Sequence, residues 1–190
     1  MLERLDLRRD LHFQTNTTID TLDYSGTGLN QGSKVVIAAY GDKLRELCQD
    51  VPDTLKGING FANPRLVLPG IVAIEGPDFT THEQAKQELA EFCQGVKESI
   101  PSCPMIILCD DSKFVAEDFQ NFLWVTFTRS NPSHDIHGIN SFYEHKHWGC
   151  DNMIIDARLK PHHAPPLVLD KEVERKIERF FEKGAVLAKN

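Results

Sequence analysis

Thr81–Cys109 reads THEQAKQELAEFCQGVKESIPSCPMIILC, and its two halves carry different periodicities. In the first half, Ala85, Leu89, Phe92, Cys93, Val96 and Ile100 recur at three- and four-residue intervals, the apolar stripe of an amphipathic helix. Thr81 and Gln84 have the spacing of a capping box, so the helix begins at Thr81, and Pro101 ends it. In the second half, Pro104–Cys109 is an unbroken apolar run, the pattern of a strand buried on both faces. A helix feeding a doubly buried strand is half of a parallel βαβ unit.

The neighbouring segments extend that reading. Upstream, Arg65–Glu75 (RLVLPGIVAIE) is extended but interrupted by Pro69-Gly70. Proline cannot donate within a ladder, so the pair marks an edge, a bulge or a break between two strands. Ser33–Gly41 (SKVVIAAYG) predicts a strand from Lys34 to about Tyr40, and Asp42 is placed to cap a short helix carrying Leu44, Leu47 and Cys48. Downstream, Val115–Thr128 fits a helix through about Thr126, and Met153–Ala157 (MIIDA) fits another buried strand. Asp170 caps a last helix that turns Val173, Ile177, Phe180 and Phe181 inward and ends at Gly184. The expected class is α/β: a small mixed, partly parallel sheet flanked by helices, in a single domain. Residues 1–32 read as an irregular lead-in arm, 33–166 as the α/β core, and 167–190 as a C-terminal helix and tail.

Composition narrows the function classes. The chain has 190 residues, 41% hydrophobic and 26% charged, the balance of a globular protein. No apolar run approaches the roughly 18 residues of a membrane span, so no integral membrane segment is expected. Asp plus Glu number 28 against 21 Lys plus Arg, a net charge of -7, which disfavours nucleic acid as a partner. Five cysteines, with no C-x-x-C, read as reduced thiols. The opening MLERLDLRRD lacks the apolar core of a signal peptide, so the reading is cytoplasmic.

Candidate chemistry gathers late in the chain. Of eight histidines, His134, His137, His145, His147, His162 and His163 are clustered, but none has the spacing of a zinc motif. A polar cleft wall or a subunit interface is the favoured reading, and no metal site is expected. Phe142–Trp148 (FYEHKHW) combines aromatic faces with the donors of His145, Lys146 and His147, which suits an aromatic acid or a phosphate better than a core. Ser25–Lys34 (SGTGLNQGSK) has its glycines misplaced for a phosphate loop, although Ser33 and Lys34 stay candidates for an anion. Asp110-Asp111 follows an apolar strand, where a helix-capping role outweighs a metal-binding one. Arg129 and Arg158 are placed to pair with acids such as Asp135 or Asp156.

Four stretches resemble the C-terminal part of the UbiD family of 3-polyprenyl-4-hydroxybenzoate decarboxylase-like enzymes. They are Thr21–Val36, Pro69–Pro77, Leu108–Ile136 (LCDDSKFVAEDFQNFLWVTFTRSNPSHDI) and His145–Leu167 (HKHWGCDNMIIDARLKPHHAPPL). The resemblance implies a much longer enzyme that binds prenylated FMN with Mn²⁺ and K⁺ and decarboxylates aromatic or unsaturated acids, in ubiquinone- or menaquinone-type biosynthesis. It places the acid/base groups and metal ligands in a missing N-terminal flavin-binding domain. No catalytic residue is therefore expected in this chain, which alone should be inactive. The implied roles here are closing the active-site cleft and building a homo-oligomer. The residues expected to face substrate or cofactor are Lys146, His147, His145, Trp148, Lys34 and Ser33. A stand-alone α/β module with a His-rich metal or anion site is the alternative.

Overall fold

A computed structural model describes residues 1–164 and 170–182. Its centre is a five-stranded sheet of β3 (Ala62–Leu68), β4 (Ile71–Glu75), β5 (Met105–Cys109), β6 (Ile136–Ile139) and β9 (Asn152–Asp156), in the spatial order β3-β4-β5-β9-β6. The inner strands β4, β5 and β9 run parallel, and both edge strands are antiparallel to their neighbours. The mixed, partly parallel sheet is thus the expected one.

Alternation along the inner strands divides the core in two. Ile71, Ala73, Met105, Ile107, Met153 and Ile155 point to one face. Val72, Ile74, Ile106, Leu108 and Ile154 point to the other. The second face is covered by α1 (His82–Val96) through Leu89, Phe92 and Val96. The first is covered by α2 (Ser112–Glu117) and α3 (Phe119–Thr128) through Val115, Phe122 and Val125, together with Leu5, Leu7 and Leu11. Each such side chain contributes roughly 1.5–3 kcal/mol on burial, so both faces need their cover.

Local signals fix most element ends. The Thr81 hydroxyl accepts from the Gln84 amide and starts α1, as its spacing predicts. The helix stops at Val96, short of Pro101, where Lys97 turns left-handed with φ 65°. Pro69-Gly70 is the turn between two antiparallel strands, with Gly70 at φ 80°. The single helix expected over 115–126 is two helices, because Asp118 adopts extended geometry and its carboxylate caps Asn121 of α3.

Three expectations are corrected. Residues 1–32 are not merely irregular: β1 (Leu11–Thr17) pairs antiparallel with β2 (Gly32–Ile37), and Leu5, Leu7 and Leu11 join the core. No helix follows Asp42, because the Cys48 amide donates to Ser102 O and its carbonyl accepts from Gly70. Those bonds to distant loops hold the segment extended. A one-turn α4 (Pro132–Asp135) and the hairpin β7 (Phe142–Glu144) and β8 (His147–Gly149) fill the stretch between α3 and β9. Finally, α5 (Lys171–Glu178) is capped by Asp170 as expected, but Val173, Ile177, Phe180 and Phe181 are exposed rather than inward. Gly184 and the residues after it lie outside the described residues.

Candidate functional site

In an open α/β sheet, ligands bind beyond the carboxyl ends of the parallel strands. Here that edge is made by the segments after β4, β5 and β9, and it holds a cleft of about 530 Å³ lined by Asp78, Phe79, Asp110, Asp111, Arg129 and Leu159 among others. Asp111 caps α2, accepting from the Phe114 amide at 2.9 Å, as the capping reading expects. Asp110 accepts from Arg129 at 3.1 Å and from the Leu159 amide at 2.9 Å, so it ties β5 to the segment after β9.

Behind this cleft lies a buried knot of charge. The Arg158 side chain is fully buried, and its Nε and Nη2 donate to the two Asp156 carboxylate oxygens at 2.9 and 2.8 Å. Its Nη1 donates to Glu88 Oε2 and to the Pro77 carbonyl, both at 2.7 Å. Lys160 Nζ, also buried, donates to the carbonyls of Asp156 and Arg129 at 2.9 and 3.0 Å, and lies 3.5 Å from Asp135 Oδ1. Phe79 stacks against both cations, at 5.6 Å from the guanidinium and 5.3 Å from the ammonium. Burial alone would raise the Asp156 carboxyl, but the Arg158 hydrogen bonds and the charge of Lys160 hold it below the usual range. Asp135 is pushed upward by burial, which outweighs the opposing charge of Lys160. Every strong donor in this knot is matched, so it is a clamp that fixes the loops around the cleft.

The residues expected to face substrate are only partly brought together. Lys146, His147 and Trp148 line one cavity of about 500 Å³ with His12, Phe13 and Tyr143. Trp148 meets Phe13 edge-on at 5.5 Å, and His147 Nε2 lies 2.9 Å from Arg8 O. Of the stretch expected to be mostly exposed, Tyr143, His145 and Lys146 are exposed, whereas His147 and Trp148 are half-buried. His145 and Lys146 form the tip of the β7–β8 hairpin, with φ of 49° and 65°. Two consecutive left-handed residues give the tight turn that suits strand twist, but side chains make them strained. His145 points away, 90% exposed, beside Glu144. Ser33 is buried: it donates to Asn131 Oδ1 and accepts from the Ser133 amide, so it supports the cavity wall from behind. Lys34 is exposed on β2, opposite Gln14, away from that lining. A second cavity of about 500 Å³ lies under the Gly-rich loop, between Ser25–Leu29, His82, Asn131, Asp135 and His162.

The histidines are therefore spread over several places, and among the described residues no three His, Cys, Asp or Glu side chains converge on a metal position. The clamp residues Glu88, Phe79 and Lys160 are the ones that sequence reading missed. Their spacing carries no signal, because they meet only through the fold. The Arg158–Asp156 pairing was legible, whereas Arg129 pairs with Asp110 rather than with Asp135 or Asp156.

His163 accepts from the Lys160 amide through Nδ1, and burial, with the Lys160 charge, pulls its imidazole down to about 4. Below an ordinary pKa near 6.5 the unfolded chain takes up a proton that the folded chain refuses. Stability from this site is thus complete above that value and lost as pH falls towards 4. With screening at a half-exposed ring discounted, roughly 1–2 kcal/mol should disappear over this window. His163→Asn keeps an acceptor and removes the titration, so its melting temperature should fall less steeply between neutral pH and pH 4. Parallel slopes for both proteins would refute the assignment.

Comparison with known proteins adds a second line. Residues 1–39 match the model of the 3-octaprenyl-4-hydroxybenzoate carboxy-lyase C-terminal domain. The matched segment contains β1 and β2. Over 180 residues, 93% of its length, the chain is 31% identical to a Chlamydia pneumoniae protein whose name makes it a subunit of 4-hydroxybenzoate decarboxylase, and it covers 29% of that protein. It is 29% identical to uncharacterized proteins of Chlamydia muridarum, over 96% of this chain and 30% of that one, and of Chlamydia trachomatis, over 92% and 28%. The chain thus spans less than a third of the length of these relatives.

Proposed function

Because this chain belongs to the UbiD family of carboxy-lyases as a C-terminal domain, we propose that it is the cleft-closing, oligomer-building part of a longer decarboxylase acting on a 4-hydroxybenzoate-type or other aromatic acid. The observation that carries the reading is the cavity around Lys146, His147 and Trp148. Its aromatic side chains, Phe13, Tyr143 and Trp148, offer faces and edges for a planar ring. Lys146, His147 and His12 offer donors to a carboxylate or phosphate at the ring's edge. Lys146, at the strained hairpin tip, is exposed and carries a long flexible ammonium able to span an interdomain gap. In this reading the face meets the flavin-binding domain of the same enzyme, and the protein works in the cytoplasm, in a quinone pathway.

Prenylated FMN would supply the electron sink for loss of CO₂. The described residues include no converging carboxylate or imidazole set for Mn²⁺. In this reading the flavin, Mn²⁺ and K⁺ are held mainly by the rest of the enzyme. What this chain's residues do is bind and orient the acid and exclude water from the closed cleft.

The test uses the full-length enzyme. Lys146→Ala with His147→Ala should raise KM for the aromatic acid roughly tenfold, the cost of one charged hydrogen bond, and change kcat less. The 190-residue chain alone, given prenylated FMN, Mn²⁺, K⁺ and a panel of aromatic acids, should release no CO₂. Unchanged KM in the double variant, or turnover by the chain alone, overturns this reading.

A further inference from the structure

Two parts of the chain share one construction. β1 pairs with β2 from Leu11↔Ile37 to Gln14↔Lys34, and β6 pairs with β9 from Ile136↔Ile155 to Ile139↔Asn152, four successive antiparallel pairs in each case. The turn before each hairpin is also the same. Ahead of β1, the amides of Arg9 and Asp10 donate to Asp6 O, and Asp10 Oδ2 accepts from the Asp6 amide at 2.9 Å. Ahead of β6, the amides of His134 and Asp135 donate to Asn131 O, and Asp135 Oδ2 accepts from the Asn131 amide at 2.6 Å. Asp10-Leu11-His12 and Asp135-Ile136-His137 hold equal places in the two. Residues 6–39 thus repeat 131–157 in backbone and register, though little in sequence.

Of the two units, the second is the complete one. β9 carries β5 on the edge away from β6: the amides of Met153 and Ala157 donate to Pro104 O and Leu108 O at 2.9 and 2.8 Å. By the shared register, Val35 and Ala39 hold those two places along β2. The Ala38 amide donates back to Asp10 O, so by alternation Val35, Ile37 and Ala39 aim their amides away from β1. Among the described residues β2 pairs with β1 alone. The outer face differs in the same way. Ile154 is 1% exposed beneath α1, whereas its counterpart Val36 is 53% exposed, and Tyr40, on the same face by alternation, is 92% exposed. The inner faces are both covered, because Leu11 and Ile37 pack with Met153 and Ile155 in one core. An open strand edge with an apolar residue on its uncovered face is a template for a further strand.

We propose that residues 6–39 are the closing segment of a second α/β unit, and that β2 takes on its open edge a parallel strand equivalent to β5, with a helix equivalent to α1 over Val36 and Tyr40. In the complete unit α1 and β5 precede β6. The missing pieces therefore come from the polypeptide that precedes this segment in the longer enzyme. The chain covers 29% of its Chlamydia pneumoniae relative, which leaves length for such a unit, and the family match spans residues 1–39, the first unit alone. The inference rests on the reading that the chain is part of a longer enzyme, but it concerns the β2 edge and not the cavity around Lys146.

The experiment compares amide hydrogen exchange in the 190-residue chain and in the full-length enzyme, read by mass spectrometry on peptides spanning 33–41. Val35, Ile37 and Ala39 should exchange on the order of 100-fold more slowly in the full-length enzyme, while β9 should be equally protected in both. Val36→Asp, at a position exposed in the chain, should leave the chain's melting temperature unchanged yet abolish the added protection in the full-length enzyme. Equal exchange of the three amides in the two proteins overturns the proposal. So does protection that appears in the chain alone and grows with its concentration, which assigns the edge to a second copy. Protection retained in full-length Val36→Asp overturns the helix cover alone. The Lys146 and His147 double variant reports separately on the proposed function, since its KM does not depend on the β2 edge.

Discussion

Arg158→Ala should lower stability by about 3–5 kcal/mol, the cost of leaving a buried carboxylate without its cation. The side chains of Arg158 and Asp156 are 0% and 1% exposed, and Glu88 is 13% exposed, so water cannot replace the guanidinium. For a chain of this size the loss corresponds to a fall of roughly 10–15 °C in melting temperature. Arg158→Lys should recover little, since an ammonium cannot reproduce the fork that grips Asp156 through two atoms while also reaching Glu88 and Pro77 O. Removing both charges, as Asp156→Leu with Arg158→Leu, should be milder than Arg158→Ala, because no orphaned charge is left at Asp156. Asp156 is held below the usual carboxylate range, so the pair's contribution is present at neutral pH and lost as pH falls through the folded pKa. Calorimetry showing a loss of less than about 1 kcal/mol for Arg158→Ala would assign the clamp no stabilising role.

Asn152→Asp should be nearly as severe, at about 3 kcal/mol or more. Asn152 is fully buried at the start of β9. Its Nδ2 donates to the carbonyls of Ile100 and Cys103 at 2.7 and 2.8 Å, and its Oδ1 accepts from the Ile100 amide at 2.9 Å. One side chain therefore satisfies three backbone groups in the turn that feeds β5. A carboxylate in the same place turns an acceptor towards two acceptors and adds a buried charge. Acidification should partly rescue the variant, since a protonated carboxyl regains one donor. Asn152→Ala, which leaves the three groups unpaired without the charge, should fall between wild type and Asn152→Asp at neutral pH. Urea midpoints measure all three proteins, and an order with Asn152→Asp the more stable of the two variants would contradict this account.

Both effects arise where the sheet meets its loops, and that boundary also separates what is legible in the chain from what is not. Periodicity is a local property. The apolar stripe of Ala85–Val96, the cap at Thr81 and the unbroken run ending at Cys109 need only their own residues to specify α1 and β5. The break at Pro69-Gly70 is equally local, since proline lacks the donor that a ladder requires. The pairing of Arg158 with Asp156 is visible because the two are separated by a single residue.

Other features depend on groups distant in sequence. The segment after Asp42 has the composition of a short helix, yet its backbone bonds go to Ser102 and Gly70, and tertiary partners override propensity. Residues 1–32 read as irregular because β1 is stabilised by pairing with β2 rather than by an apolar period of its own. Lys146, His147 and Trp148 acquire a cavity only when β1 brings His12 and Phe13 beside them. Glu88, Phe79 and Lys160 enter the clamp from α1 and from the loops after β4 and β9. Short-range hydrophobic periodicity and capping are enough to specify the α/β class, the central strand and the main helix. Which face holds the cavity, and which charges are buried together, follows instead from sheet order and register, because these bring side chains from separate strands to one point.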